Sequence, residues 1–236
     1  GLMHNKFYVI DYRGGAPESV WVWTGSWNVT DPGTNDDRQN VIEFQDVALA
    51  GAYTREFEEM WGSSIETPNS ANSRFGSRKF NNTPHKFVIG GLPVENFFSP
   101  SDRTTYQIGK VLSKAQSSIN GSIMAFTVKE LADTIISKKN KGKKVRILME
   151  DITGSGNQYN YLLSNGINVL PKGGSGILHH KYAIVDAEPF GGTSYVLTGS
   201  HNWSGSAETR NDENTVVVKD NKIANFYLQE FTARYY

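Results

Sequence analysis

Cysteine is missing from all 236 residues, which excludes disulfides, thiolate metal sites and cysteine nucleophiles. Excess charge is missing as well: 24 Lys and Arg stand against 24 Asp and Glu. That balance excludes a globally basic nucleic-acid binder, although a local basic cleft survives the sum. No apolar stretch reaches the roughly 18–20 residues of a membrane span. No secretory leader is visible, and the abrupt opening leaves room for one already removed. The polar residues lean to Asn, Gly, Ser and Thr rather than Lys and Glu, so an extracytoplasmic surface is the expectation. What is present suffices for folding. With 38% apolar and 12% aromatic residues, the chain can bury the core of one large domain or two small ones.

The chain repeats itself, and repeats decide the fold before anything else does. G-L-M-H-N-K-F-Y-V-I-D, residues 1–11, aligns with G-I-L-H-H-K-Y-A-I-V-D, residues 176–186. Both fit H-x-K-x-x-x-x-D. V-W-T-G-S-W-N at 22–28 aligns with V-L-T-G-S-H-N at 196–202. D-R-Q-N-V-I at 37–42 aligns less closely with N-D-E-N-T-V at 211–216. Three matched strings in the same order point to duplication.

The two copies are unequal. Residues 62–84 are rich in Ser, Asn, Gly, Thr and Pro and read as a connector between a first half, 1–61, and a second, 85–236. The second half carries an α/β pattern. Strands are expected at 86–90, 119–127, 145–149, 168–170, 195–198 and 213–218. Helices are expected at 102–118 with Ser101 as N-cap, and at 129–139, 157–164 and 222–232. Only Gly1, Leu2 and Met3 precede His4, whereas His179 follows a full strand and helix series. The first half therefore lacks opening strand–helix–strand elements, and a fragment is the expectation. A sheet without its central strands exposes edges.

Both His-Lys strings are β-branched and apolar, so each reads as a strand with side chains alternating between faces. His4, Lys6, Tyr8 and Ile10 then share a face, as do His179, Lys181, Ala183 and Val185. Asp11 and Asp186 fall opposite, which assigns them to anchoring the strand end. Ser26 pairs with Asn28, and Ser200 with Asn202. Two imidazoles, two ammonium groups and two carboxamides around one point suit a phosphodiester. The lysines neutralise its oxygens and the amides donate to them. One His can attack phosphorus while the other protonates the leaving oxygen. No metal or cofactor is required, because the lysines carry the countercharge. Metal binding is the weaker reading: His179 and His180 face opposite ways on a strand, and a lysine repels cations. His85 reads as a loop residue, and His201 stays open as a cleft residue.

These strings resemble the phospholipase D superfamily, with its duplicated H-x-K-x-x-x-x-D and downstream G-S-x-N. The similarity covers nearly the whole chain outside the connector. It is greatest to compact members, the bacterial phosphodiesterase-nucleases and the cardiolipin-hydrolase-like group, on strings such as F-F-S-P-S-D and A-E-T-R-N-D-E-N. The resemblance implies an α/β fold of two halves, each a mixed sheet flanked by helices, related by a pseudo-twofold with one site between them. It implies a phosphohistidine intermediate that water or an alcohol then displaces. By position, the implied site is His4, Lys6, Ser26 and Asn28 with His179, Lys181, Ser200 and Asn202. Family halves carry an acidic residue that supports the imidazole across the interface. Here the second half has Glu213, but the first has Gln39, an asymmetry similar to that of tyrosyl-DNA phosphodiesterases. If support crosses over, Glu213 serves His4 and Gln39 serves His179, making His4 the nucleophile and His179 the general acid. Glu43 is the alternative support residue.

The substrate is less legible. A nucleic-acid cleft would be basic with stackable aromatics. The run Lys138, Lys139, Lys141, Lys143, Lys144 and Arg146 is read instead as a solvated helix end, and Arg74, Arg78 and Lys79 lie in the connector. A phospholipid needs an apolar rim, for which Trp21, Trp23, Trp27, Trp61 and Trp203 are candidates, although alternation turns Trp27 toward a core. Phospholipid hydrolysis with peripheral membrane contact, nucleic-acid cleavage by the same site, and a non-catalytic phosphate-binding module are the three readings. Both motifs lie on one chain, so a monomer suffices.

Overall fold

The two His-Lys strings feed two different sheets. In a computed structural model, which describes residues 1–189 and 192–236, the smaller sheet is antiparallel. It consists of β1 (Phe7–Ile10), β2 (Trp21–Gly25) and β3 (Val41–Gln45) in that order. The larger sheet is mixed. Its strands are β4 (Lys86–Ile89), β5 (Leu92–Ser99), β6 (Ser118–Ile123), β7 (Lys144–Met149), β8 (Asn168–Pro171), β9 (Lys181–Val185), β10 (Tyr195–Gly199) and β11 (Glu213–Lys219). They lie in the order β4-β5-β11-β10-β9-β6-β7-β8, with only β6, β7 and β8 mutually parallel.

Helices cover these sheets where their apolar faces require it. α3 (Thr104–Ser113) and α4 (Lys129–Asn140) bring Ile108, Leu112, Leu131 and Ile135 onto Ile147, Ala183 and Val185. α7 (Asn221–Tyr235) lays Ala224 and Phe231 on the other face, against Tyr182, Ile184 and Val196. Near-continuous burial of β9 and β11 follows from cover on both faces. α2 (Val47–Trp61) joins the two sheets. Its Leu49 and Tyr53 share one buried cluster with Val22 and Phe44 of the small sheet and Phe98 and Val216 of the large one. Asp46 caps α2 and Asp220 caps α7, each accepting from the N–H three residues on. Three short α-helices, α1 (Asp31–Asn35), α5 (Tyr159–Ser164) and α6 (Gly205–Thr209), and two single 3-10 turns, Pro17–Ser19 and Gly76–Arg78, lie between them.

Several expectations shift. β5 fell in none of the predicted elements, because Pro93 and Asn96 interrupt its apolar period; its pairing with β4 and β11 on both sides holds it. The helix expected from 102 starts at Thr104. Arg103, in left-handed backbone at φ 56°, takes the cap position, and the Ser101 hydroxyl donates to the Phe98 carbonyl instead. Regular pairing begins at Phe7 and Lys181, so His4, Lys6 and His179 precede their strands and alternation does not set their direction. Arg146 is no solvated residue. Its buried guanidinium donates to Asn120 Oδ1 and the Tyr236 hydroxyl and pairs with Glu188. The small sheet leaves Tyr8 and Ile10 nearly half exposed.

Candidate active site

Each imidazole is held from the far side of the molecule. The His4 N–H donates to the Asp212 carbonyl (3.0 Å), and its Nδ1–H to the Glu213 carboxylate (2.7 Å). The His179 N–H donates to the Arg38 carbonyl (2.8 Å). Its Nδ1–H is shared between the Ser26 carbonyl (2.8 Å) and Gln39 Oε1 (2.9 Å). Gln39 is itself fixed, accepting from Asn28 N–H and donating to the Gly33 carbonyl. Donation through Nδ1 leaves Nε2 of both rings without a protein partner among the described residues.

The lysines are drawn into the same neighbourhood. Lys6 Nζ donates to the His4 carbonyl (2.9 Å) and Lys181 Nζ to the His179 carbonyl (2.6 Å). Burial lowers the Lys6 ammonium to about 8, against the raising effect of Glu213. Burial and then the Lys6 charge press Lys181 well below the ordinary lysine value. His179 is pushed down to about 3 by burial, then by the charges of Lys181, Lys6 and His4, against its bond to the Ser26 carbonyl. Burial alone would raise Glu213, but the His4 hydrogen bond and charge, then the Ser200 hydroxyl, outweigh it and hold the carboxyl below its usual range. These mutual influences put His4, His179, both lysines and Glu213 in one electrostatic neighbourhood.

The serines are turned inward. Ser26 and Ser200 are fully buried, each accepting from an Asn N–H (Asn40 and Asn214, both 3.1 Å), and Ser200 donates to Glu213 (2.7 Å). Both hydroxyls are thus engaged with the chain itself, at the strand ends and, for Ser200, at the carboxylate. Asn28 lines a cavity of about 430 Å³ with Met3, His4, Asn5, Lys6 and Trp27. Asn202 carries a buried carboxamide oxygen without a partner. Trp27 is half-buried in that cavity and packs edge-on against Trp23, so the core placement expected of it does not hold. Trp203 is fully buried instead. Met3, Asn5 and Phe7 also line a neighbouring apolar cavity of about 410 Å³ with Phe57, Met60, Trp61 and Phe75.

Asp186, in left-handed backbone at φ 60°, accepts from the N–H groups of Gln116, Ser117 and Ser118 and from the Ser117 hydroxyl. It fastens β9 to the start of β6. Asp11 shares the backbone conformation, φ 54°, but its side chain is exposed, because no neighbouring strand flanks β1 on that side. Glu43 is exposed on β3, and the Nδ1 partners of the two rings are Glu213, Gln39 and the Ser26 carbonyl instead. His201 is buried, its Nδ1–H bonded to the Asn202 carbonyl (2.6 Å), and His85 lies in a loop. Among the described residues no group of three or more His, Asp and Glu is placed to hold a metal ion.

Matching contacts recur around two asparagines of the third aligned string, and reach residues that no quoted string contains. Asn40 Oδ1 accepts from Thr198 and Tyr227, and Asn214 Oδ1 from Thr24 and Tyr53. Asn40 also contacts His180, which meets Glu230; Asn214 donates to Asn5, which donates to Glu56. The signal lay in the sequence: A-x-x-Y-x-x-E-F occurs at 50–57 and again at 224–231, a fourth matched string.

Comparison with known proteins shows the family. Residues 1–61 and 108–235 match the family described as "Cardiolipin synthase, PLD-like domain". The chain belongs to this phospholipase D-like family. It is 34% identical over 123 residues to the mitochondrial cardiolipin hydrolase of Xenopus tropicalis, covering 51% of this chain and 56% of that protein. The chain thus spans a little over half the length of that relative. The crystal structure of the phospholipase D family member Nuc from Salmonella typhimurium aligns at TM-score 0.54 and 29% identity, over 60% of this chain and 93% of Nuc. Phosphatidylserine synthase of Haemophilus influenzae, at 13% identity, shares the fold over 98% of this chain and 61% of its own, at TM-score 0.63.

Proposed function

We propose that the protein is a metal-independent phosphodiesterase of the phospholipase D type. The observation that carries this reading is the pair of imidazoles, each with Nδ1 fixed from across the molecule and Nε2 unengaged, beside two partly or fully buried lysines. We read the chain as two halves, 1–61 and 85–236, joined by the connector 62–84 and related by a pseudo-twofold, the first half being pared down. The matching contacts of Asn40 with Thr198 and Asn214 with Thr24, and of the Arg38 carbonyl with the His179 N–H and the Asp212 carbonyl with the His4 N–H, support this reading.

His4 Nε2 attacks phosphorus. The P–O bond to the leaving group breaks, and the leaving oxygen takes a proton from His179. The positive charge that develops on the phosphorylated His4 ring is stabilised by the Glu213 carboxylate at Nδ1, which a neutral Gln39 would do less well. Water then attacks phosphorus and gives its proton to His179, and the P–N bond breaks. Lys6, Lys181, Asn28 and Asn202 hold the phosphoryl oxygens. In the empty site His179 is neutral; a bound phosphodiester anion offsets the lysine charges that lower it and restores its proton.

Phospholipid is the favoured substrate class. The apolar cavity shares Met3, Asn5 and Phe7 with the His4 cavity. Its polar groups are already engaged: Asn5 with Glu56 and Asn214, and the Trp61 indole N–H with the Ile65 carbonyl. An alkyl chain loses nothing there, whereas the polar edge of a nucleobase would be left unpaired. The name of the Xenopus relative points the same way. The test is hydrolysis of a bis-aryl phosphodiester in EDTA, followed by phospholipid vesicles, single-stranded DNA, plasmid and RNA side by side. Turnover in EDTA with lipid preferred is expected. Exclusive nucleic-acid cleavage would replace the substrate reading, and phosphate binding without turnover would leave a binding module.

A further inference from the structure

We propose that Lys79, in the connector, is a positioning residue that sets the His4 end of the site. Its position lies outside the two segments matched by the family model. The role rests on the phosphodiesterase reading above.

The Lys79 side chain is fully buried, and so, within a few per cent, are its partners Glu56 and Asp212. The ammonium bonds Glu56 Oε1 and lies 3.2 Å from Asp212 Oδ1, which also accepts from the Gly76 N–H (2.7 Å). Both carboxylates lead to the reacting groups. Asp212 accepts the His4 N–H through its carbonyl and donates its own N–H to the Leu2 carbonyl (2.9 Å), so it grips the chain on both sides of Met3. Asp212 also immediately precedes Glu213, the carboxylate on His4 Nδ1. Glu56 accepts from Asn5, the residue after His4, and Asn5 in turn accepts from Asn214, the residue after Glu213. One ammonium thereby joins the residues that flank both members of the His4–Glu213 pair.

Among the described residues the His179 end has no such clamp. Arg38 supplies the backbone carbonyl to His179, but its guanidinium turns to the Asp36 carbonyl. Glu230, matching Glu56 in the A-x-x-Y-x-x-E-F string, is satisfied by His180, Tyr182 and Arg234 from its own half. A buried ion cluster is weak evidence for stability, since taking charges out of water offsets much of their attraction. Its better-supported use is to fix register. Here the register fixed is that of the proposed nucleophile with its supporting carboxylate.

The test separates positioning from packing. Lys79→Met and Lys79→Arg are compared with the unaltered chain for melting temperature, for turnover of a bis-aryl phosphodiester per folded molecule, and for the pH titration of the His4 ring by NMR. Lys79→Met is expected to lose on the order of 10–100-fold in kcat at little change in KM, and to shift the His4 titration. Lys79→Arg recovers most of both. Should Lys79→Met not fold, Glu56→Gln carries the test, with the same direction and a smaller loss. A lower melting temperature with kcat per folded molecule and the His4 titration unchanged overturns the proposal and leaves a structural ion cluster. Absence of turnover in the unaltered chain would count against the phosphodiesterase reading, while the His4 titration still decides the role of Lys79.

Discussion

At the scale of single residues, the two imidazoles differ in what stands behind them, a carboxylate for His4 and a carboxamide with a peptide carbonyl for His179. His4→Ala and His179→Ala are each expected to lower kcat by more than about 10³-fold, checked on the aryl diester with melting temperature measured alongside. The phosphohistidine, trapped by acid quench, should map to His4. Gln39→Glu places a negative charge on the far nitrogen of His179, favours its charged form, and should raise the pH at which His179 titrates in the free protein. Stability carries the mark of the same residue. His179 titrates at 6.5 when unperturbed and at about 3 in the fold. Above the higher value both states are neutral; as pH falls from there toward the lower one, only the unfolded chain takes up the proton, so stability declines across that window. Urea midpoints at successive pH values check this, with His179→Gln flattening the decline. Binding of inorganic phosphate at neutral pH should take up protons, read by calorimetry in buffers of different ionisation enthalpy.

At the scale of elements, the matched strings foretold more than the periodicities did. The crossing supports of His4 and His179 were legible through the family resemblance, which implies a supporting side chain at the aligned position that Glu213 and Gln39 share. The inward turn of Ser26 and Ser200 was not, since parity along a strand says nothing about residues that lie past its end, where each hydroxyl meets an Asn N–H. Lys79 was invisible because its partners come from α2 and from the residue before β11, far along the chain, and nothing in its own neighbourhood of the sequence marks it. Asp186 and Asp11 looked equivalent in sequence. The structure separates them, because only Asp186 has a neighbouring strand start to hold. Asp186→Asn should cost about 2 kcal/mol in chemical denaturation, whereas Asp11→Asn should leave the melting temperature unchanged.

At the scale of the whole molecule, cation and anion counts cancel, so the net charge gives a polyanion no attraction. The charges that matter are local and sheltered. Turnover of a small phosphodiester should therefore change little between low and physiological salt, because partly buried pairs escape screening. A steep loss with salt would point to an extended polyanion contact instead. Among the described residues no helix is long and apolar enough to cross a membrane. A lipid reading accordingly rests on contact at the site's rim, where Leu2 and Met3 stand largely exposed.

The exchange of supports has a temporal side. Neither ring can be aimed by the segment that carries it, since His4 waits for Asp212 and Glu213, and His179 for Arg38 and Gln39. Contacts this distant along the polypeptide close late, after the local helices and hairpins have formed. Competence is then the last property a refolding molecule regains, and the recovery of turnover is a clock for the docking of its two ends.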